Sequence, residues 1–186
     1  MFSQVQRRAF SMPISPLKQV NYLFRRTQKY DLDTASYNRY APLFDAKFGM
    51  CLLAEAGTEK IVFEGKDLFS EPEYIRELIR FVKQDLGLES VCITASGNII
   101  TQDWIDEYAA LVDCLNITCD SFSDQAKKSW YSPHSQRFDT LLQIKEWTQQ
   151  HGIDFEISTL VKSYNWQNNM KREILELDPK YWNIFQ

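Results

Sequence analysis

Along residues 20–185, short apolar runs rich in β-branched residues alternate with longer stretches of helical spacing. Val20–Phe24, Lys60–Phe63, Ser90–Ala95, Leu115–Cys119, Phe155–Val161 and Tyr181–Phe185 read as strands. Between them, Leu43–Ala56, Tyr74–Leu86, Thr101–Val112, Phe138–Gln150 and Trp166–Leu177 read as helices. Ser70 with Glu73 spells a capping box before the second helix, Thr101 is the expected cap of the third, and Gly57 and Gly87 supply stops. Parallel neighbours need a crossover long enough to carry a helix, so single helices between strands imply a parallel α/β sheet. Right-handed crossovers would wind it as a partial (β/α) barrel or a doubly wound sheet. No linker or internal repeat interrupts the pattern. One domain is expected over 17–186, behind a basic tail at 1–16.

Strands buried on both faces normally read as unbroken apolar runs. The third to fifth strands here split by parity instead. Val91, Ile93 and Ala95 oppose Cys92, Thr94 and Ser96; Leu115, Ile117 and Cys119 oppose Asn116, Thr118 and Asp120; Phe155, Ile157 and Thr159 oppose Glu156 and Ser158. One face suits packing under helices, and the other is expected to line a wet lumen that holds a polar ligand or, if the sheet stays open, to face solvent. In α/β folds ligands sit at the carboxyl ends of the strands. Those ends carry Arg25 and Arg26, Glu64–Gly65–Lys66–Asp67, Ser96–Gly97–Asn98, Asp120–Ser121 and Lys162–Ser163. Gly65 and Gly97 allow close backbone approach to a ligand.

Composition narrows the function classes. The 186 residues are 44% hydrophobic and 25% charged, a folded composition. Residues 1–30 hold six bases and no acid, which leaves ten more acids than bases in the remainder. An acidic body argues against nucleic-acid binding, which needs clustered Lys and Arg. No apolar run is long enough to span a membrane. The four cysteines form no CxxC pair, against a zinc ribbon or a disulfide framework, and each reads as a small buried hydrophobe. A cytoplasmic location is expected, with a mitochondrial one as the alternative suggested by the basic start MFSQVQRRAF.

The stretches VNYLF, LLAEAGTEKIVFEG, CDSF and YWNIFQ occur in an order and spacing that resemble the viperin-like radical S-adenosylmethionine (SAM) family of nucleotide dehydratases. The resemblance covers about Leu17 to Gln186. It implies a partial (β/α)6 barrel of radical-SAM type with a six-stranded parallel sheet. It also implies a [4Fe–4S] cluster on a CxxxCxxC loop after the first strand, SAM on the open iron, and radical conversion of CTP to a 3′-deoxy-3′,4′-didehydro nucleotide. Alignment on VNYLF puts Gln28, Leu32 and Ala35 at the three cysteine positions. None is a soft ligand. The family's Gly-Gly-Glu reads Gly65-Lys66-Asp67, and its Ser-Asn-Gly turn reads Ala95-Ser96-Gly97. Where the family offers a lysine to the triphosphate, this chain has Glu156; its arginine-bearing glycine loop is replaced by a stretch with only Lys127 and Lys128. The family's C-terminal extension is also expected to be missing.

The resemblance thus points to a fold retained without cluster chemistry, a ligand- or partner-binding pseudoenzyme. Gly65, Asp67, Ser96, Gly97, Asp120 and Ser121 are the expected cofactor-binding residues, for SAM or another adenosyl or nucleotide ligand, with no catalytic or metal-binding residue. A protein partner is a further expectation. One alternative is a truncated or mis-spliced product of an active SAM-dependent nucleotide dehydratase. Another is a cluster-free hydrolase or lyase using Glu64, Asp67, Asp120 or Glu156 as acid and base.

Overall fold

The computed structural model describes residues 19–23, 41–65, 68–122 and 136–186. Six strands, β1 (Gln19–Leu23), β2 (Lys60–Glu64), β3 (Ser90–Ser96), β4 (Cys114–Thr118), β5 (Asp154–Leu160) and β6 (Tyr181–Phe185), pair in chain order, all parallel. The helices are α1 (Leu43–Glu55), α2 (Pro72–Arg80), α3 (Gln102–Tyr108), α4 (Phe138–Gln150) and α5 (Lys171–Leu177). Sequential parallel order with intervening helices makes a partial (β/α)6 barrel, with edges at β1 and β6.

The apolar parity of the strands accounts for the core. Ile61, Phe63, Val91, Ile93, Leu115, Ile117 and Ile157 are buried in one cluster with Met50 of α1, Ile75, Leu78 and Ile79 of α2, Ile105 of α3, Leu141 and Ile144 of α4, and Leu177 of α5. Val62, Cys92 and Cys114, one residue out of phase, form a small separate cluster on the opposite face. A two-residue period on a curved sheet sends one set towards the helices and the other inward. On the edge strand β6, Ile184 and Phe185 stay more than half exposed.

Local sequence signals hold at some element ends and fail at others. Thr101 caps α3 as expected, its Oγ1 accepting from the Trp104 amide at 3.2 Å. The Ser70 capping box does not form. Glu71 occupies the cap without a side-chain hydrogen bond, and Pro72 opens α2, where its fixed φ and missing N–H cost nothing. α2 runs on into a π-helical turn, Phe81–Asp85. There Lys83 Nζ reaches both Asp113 carboxylate oxygens (2.7 and 2.8 Å), while Asp113 Oδ2 accepts from the Val91 amide (2.8 Å). The helix expected from Thr101 to Val112 ends at Tyr108, and that expected from Trp166 begins only at Lys171.

Candidate functional site

The inward face of the sheet lines a cavity of about 590 Å³. Strand register builds it in layers. Val62 and Cys92 are register partners that form the floor, with Cys114, the next register partner, buried behind Cys92. Glu64, Thr94, Asn116, Glu156 and Tyr181 follow across β2 to β6 as the next layer, and Thr118, Ser158 and Asn183 as the one above. Asp120, Leu160 and Phe185 reach the carboxyl-end rim, and Lys60 enters from the start of β2. The polar parity read along the strands is therefore the wall of an internal cavity, as the lumen reading anticipates.

Hydrogen bonds hold this wall in place. The Asn116 amide donates to Ser158 Oγ (2.8 Å) and more weakly to Thr94 Oγ1 (3.4 Å), linking three strands and two adjacent layers. Thr118 Oγ1 donates to the Ala95 carbonyl (3.3 Å). Glu156 is 7% exposed and accepts from Asn183 Nδ2 at 3.5 Å. Among the described residues, the ionisable groups of the lining are Lys60, the carboxylates Glu64, Asp120 and Glu156, the thiol of Cys92 and the phenol of Tyr181.

The six expected cofactor-binding residues separate into different environments. Asp120 is 2% exposed and lines the cavity. Its Oδ1 accepts from the Leu160 amide (3.0 Å) and its Oδ2 from the Tyr164 hydroxyl (3.2 Å). Burial first, and then the Asp120 charge and hydrogen bond, push the Tyr164 phenol above its ordinary range. Gly65 follows β2 with φ 138°, a conformation open to glycine and strained for other residues. Ser96 ends β3 and accepts from Gln136 Nε2 (3.1 Å). Gly97 is buried. A Cβ there would come within 3.0 Å of Gln136 Oε1 and Leu141 Cδ2, so the close approach this glycine permits is that of Gln136 and α4. Ser121 is buried away from the main cavity, accepts from Asn168 Nδ2 (3.0 Å), and borders a smaller hollow of about 200 Å³ with Phe122 and Met170. Asp67 lies outside the described residues, as do Lys66, Arg25, Arg26, Lys127, Lys128 and the three positions Gln28, Leu32 and Ala35.

Three contributors escaped sequence reading. Gln136, fully buried, donates to Ser96 Oγ and to the Thr118 carbonyl (3.2 Å), tying the ends of β3 and β4. Nothing in its sequence surroundings marks it. Asn165 donates to the Asp120 carbonyl (3.0 Å) and the Leu160 carbonyl (2.8 Å) while its Oδ1 accepts from the Lys162 amide (2.6 Å). That last contact is a side-chain-to-backbone turn whose signal was available in the spacing Lys162 to Asn165. β6 contributes Tyr181, Asn183 and Phe185, legible from the same two-residue period applied to YWNIF.

The cysteines are all free thiols and fall in three places. Cys51 is partly exposed on α1. Cys92 lies on the cavity floor with Cys114 behind it, their Sγ atoms 2.7 Å apart. Cys119 is fully buried in the main core, where burial pushes its thiol up to about 12. Among the described residues, no three His, Cys, Asp or Glu side chains gather as a metal site. No helix among them is long and apolar enough to cross a membrane.

A sheet of six sequentially ordered parallel strands around a polar cavity defines a partial barrel of the radical-SAM type. Its backbone superposes on a radical S-adenosylmethionine methyltransferase, TsrM, from Kitasatospora setae (TM-score 0.60, 13% identity, 91% of this chain and 36% of that one). The chain itself is similar in sequence to the S-adenosylmethionine-dependent nucleotide dehydratases. It is 31% identical over 189 residues to the member RSAD2 from Danio rerio, covering 97% of this chain and 53% of the relative. It is 33% identical over 192 residues to RSAD2 from Siniperca chuatsi, covering 99% and 54%. The chain therefore spans about half the length of these curated relatives. No family model matches it.

Proposed function

We propose that this protein keeps the radical-SAM-type barrel of its family but has lost [4Fe–4S] binding and radical catalysis, and acts by binding a ligand or a protein partner. The observation that carries this reading is the chemistry of the donor set. Three thiolates must converge at one open-iron cluster, beside the carboxyl end of the first strand in the resemblance above. Residues 24–40 contain no cysteine at all. The four cysteines lie on α1, at the cavity floor and in the core, and none shares a site with two others. The residues present do not fit a cluster, so no chemical step is routed through one.

The ligand is an adenosyl or nucleotide compound held at the carboxyl ends of the strands, with Gly65, Asp67, Ser96 and Asp120 as the residues proposed to receive SAM or its like, whereas Gly97 and Ser121 are taken up by Gln136 with α4 and by Asn168. Glu64, Asp120 and Glu156 outnumber Lys60 in the described lining, and carboxylates in a low-dielectric cavity repel a triphosphate. These carboxylates weigh against CTP as the ligand. The decisive experiment is anaerobic reconstitution with iron and sulfide, followed by iron analysis and an assay for SAM cleavage. Iron well below stoichiometric and no 5′-deoxyadenosine are expected. A stoichiometric cluster with 5′-deoxyadenosine formation overturns the proposal.

A second reading, that this chain is part of an active SAM-dependent nucleotide dehydratase, is favoured by its covering only 53% and 54% of the two relatives. Transcript sequencing across Arg26–Phe44 and past Gln186 separates the two. An in-frame cysteine triplet supports the second reading, and its absence supports the first.

A further inference from the structure

Cys92 and Cys114 stand apart from the apolar core that the family fold explains. They are register partners on adjacent parallel strands, each 2% exposed, and their only companion in the floor cluster is Val62. Adjacent strands lie about 4.7–4.9 Å apart, inside the roughly 4.4–6.8 Å between Cα atoms that a disulfide requires. On the concave face of a curved sheet the side chains lean together, and here the two Sγ atoms approach to 2.7 Å. That is well inside a non-bonded sulfur contact. Cys92 faces the cavity and Cys114 lies behind it, near the Glu156 carboxylate, whose charge helps hold its thiol protonated.

We propose that Cys92 and Cys114 are a redox-active dithiol, closed to an intrachain disulfide by exchange with a low-molecular-weight disulfide that enters through the cavity. Cys92, the thiol on the cavity surface, attacks one sulfur of the entering disulfide as its thiolate. Its S–H proton leaves with the first released thiol, and Cys92 is left in a mixed disulfide. Cys114 then attacks the Cys92 sulfur, and its proton passes by way of Glu156 to the second low-molecular-weight thiol as it leaves. The balance is two protein thiols and one external disulfide consumed, with one protein disulfide and two external thiols formed. Cys114 is held strongly in its thiol form by its hydrogen bond with Cys92 and by burial. It therefore acts second, once Cys92 carries the leaving group. Neither Cys51 on α1 nor Cys119 in the core has a cysteine partner in the structure.

The test uses the full chain, incubated under native conditions with glutathione disulfide or with dithiothreitol, then alkylated and mapped by mass spectrometry. Loss of two of the four alkylatable thiols, with a Cys92–Cys114 cross-linked peptide that dithiothreitol removes, is the expected result. Cys114→Ser should stop at a glutathione adduct on Cys92. Equal alkylation of Cys92 and Cys114 in both conditions, after unfolding and with unchanged circular dichroism during incubation, overturns the proposal, as does glutathione found on Cys51 alone. Because the wild-type map stands by itself, the result does not depend on the serine variant folding. It is also independent of cluster or SAM binding.

Discussion

Removing the Asp120 carboxylate should unpin β5 from the end of β4. The side chain is 2% exposed and accepts from the Leu160 amide at 3.0 Å and the Tyr164 hydroxyl at 3.2 Å. Each hydrogen bond to a charged group is worth about 1.5–3 kcal/mol, and an amide left without its acceptor costs about 1–3 kcal/mol. Some of the exposed end of β5 can turn to water, so Asp120→Ala should cost about 3 kcal/mol, a factor of roughly 150 in the folding equilibrium. Asp120→Asn keeps an oxygen for the Leu160 amide and should cost about 1 kcal/mol. Urea denaturation with a common slope measures both. An Asp120→Ala variant within about 0.5 kcal/mol of wild type, the range of an ordinary surface substitution, would refute the reasoning. It would mean that Asp120 is not a structural tie and would return it to the carboxylates available for acid–base chemistry. If instead the stability loss appears as calculated, Asp120 cannot be read as a reserve proton donor merely because it lies in the cavity.

Two other perturbations test neighbouring parts of the same wall. Gly97→Ala brings a methyl within 3.0 Å of Gln136 Oε1 and Leu141 Cδ2, so it should destabilise by about 1–3 kcal/mol in thermal or urea unfolding; a neutral result would show that α4 and Gln136 shift freely. Tyr164, its phenol raised by burial and by Asp120, should titrate above free tyrosine in an absorbance titration. The protonated phenol is the form the fold favours. Its stabilising share is fully present below the unfolded tyrosine value, near 10, and disappears as pH rises through the folded one. Tyr164→Phe should delete that late transition; an unchanged titration curve would place the raised phenol elsewhere.

How far the sequence reaches is plain from particular residues. Val91, Ile93 and Ala95 against Cys92, Thr94 and Ser96 already contain the two faces of β3, because side-chain alternation in a strand is local geometry. Asp120 was recognisable as a strand-end carboxylate in the same way. Its partners were not: Tyr164 and the Leu160 amide lie 44 and 40 residues away and meet it only when β5 pairs with β4. Ser70 shows the opposite failure. Its capping-box spacing is sound, yet Pro72 starts the helix two residues later, so a backbone constraint outweighs a side-chain signal.

By itself, the chain's order of apolar and polar positions determined the six parallel strands, the helices between them and the hydrophilic wall, and its motifs carried the resemblance to nucleotide dehydratases. These depend on local periodicity and on the order of motifs. Tertiary structure alone decided which polar groups share a cavity, that Gly97 makes room for Gln136 and α4, and that Cys92 and Cys114 stand sulfur to sulfur on the floor. Such contacts depend on register between strands distant in sequence. A shift of one residue would have turned every one of those side chains to the opposite face.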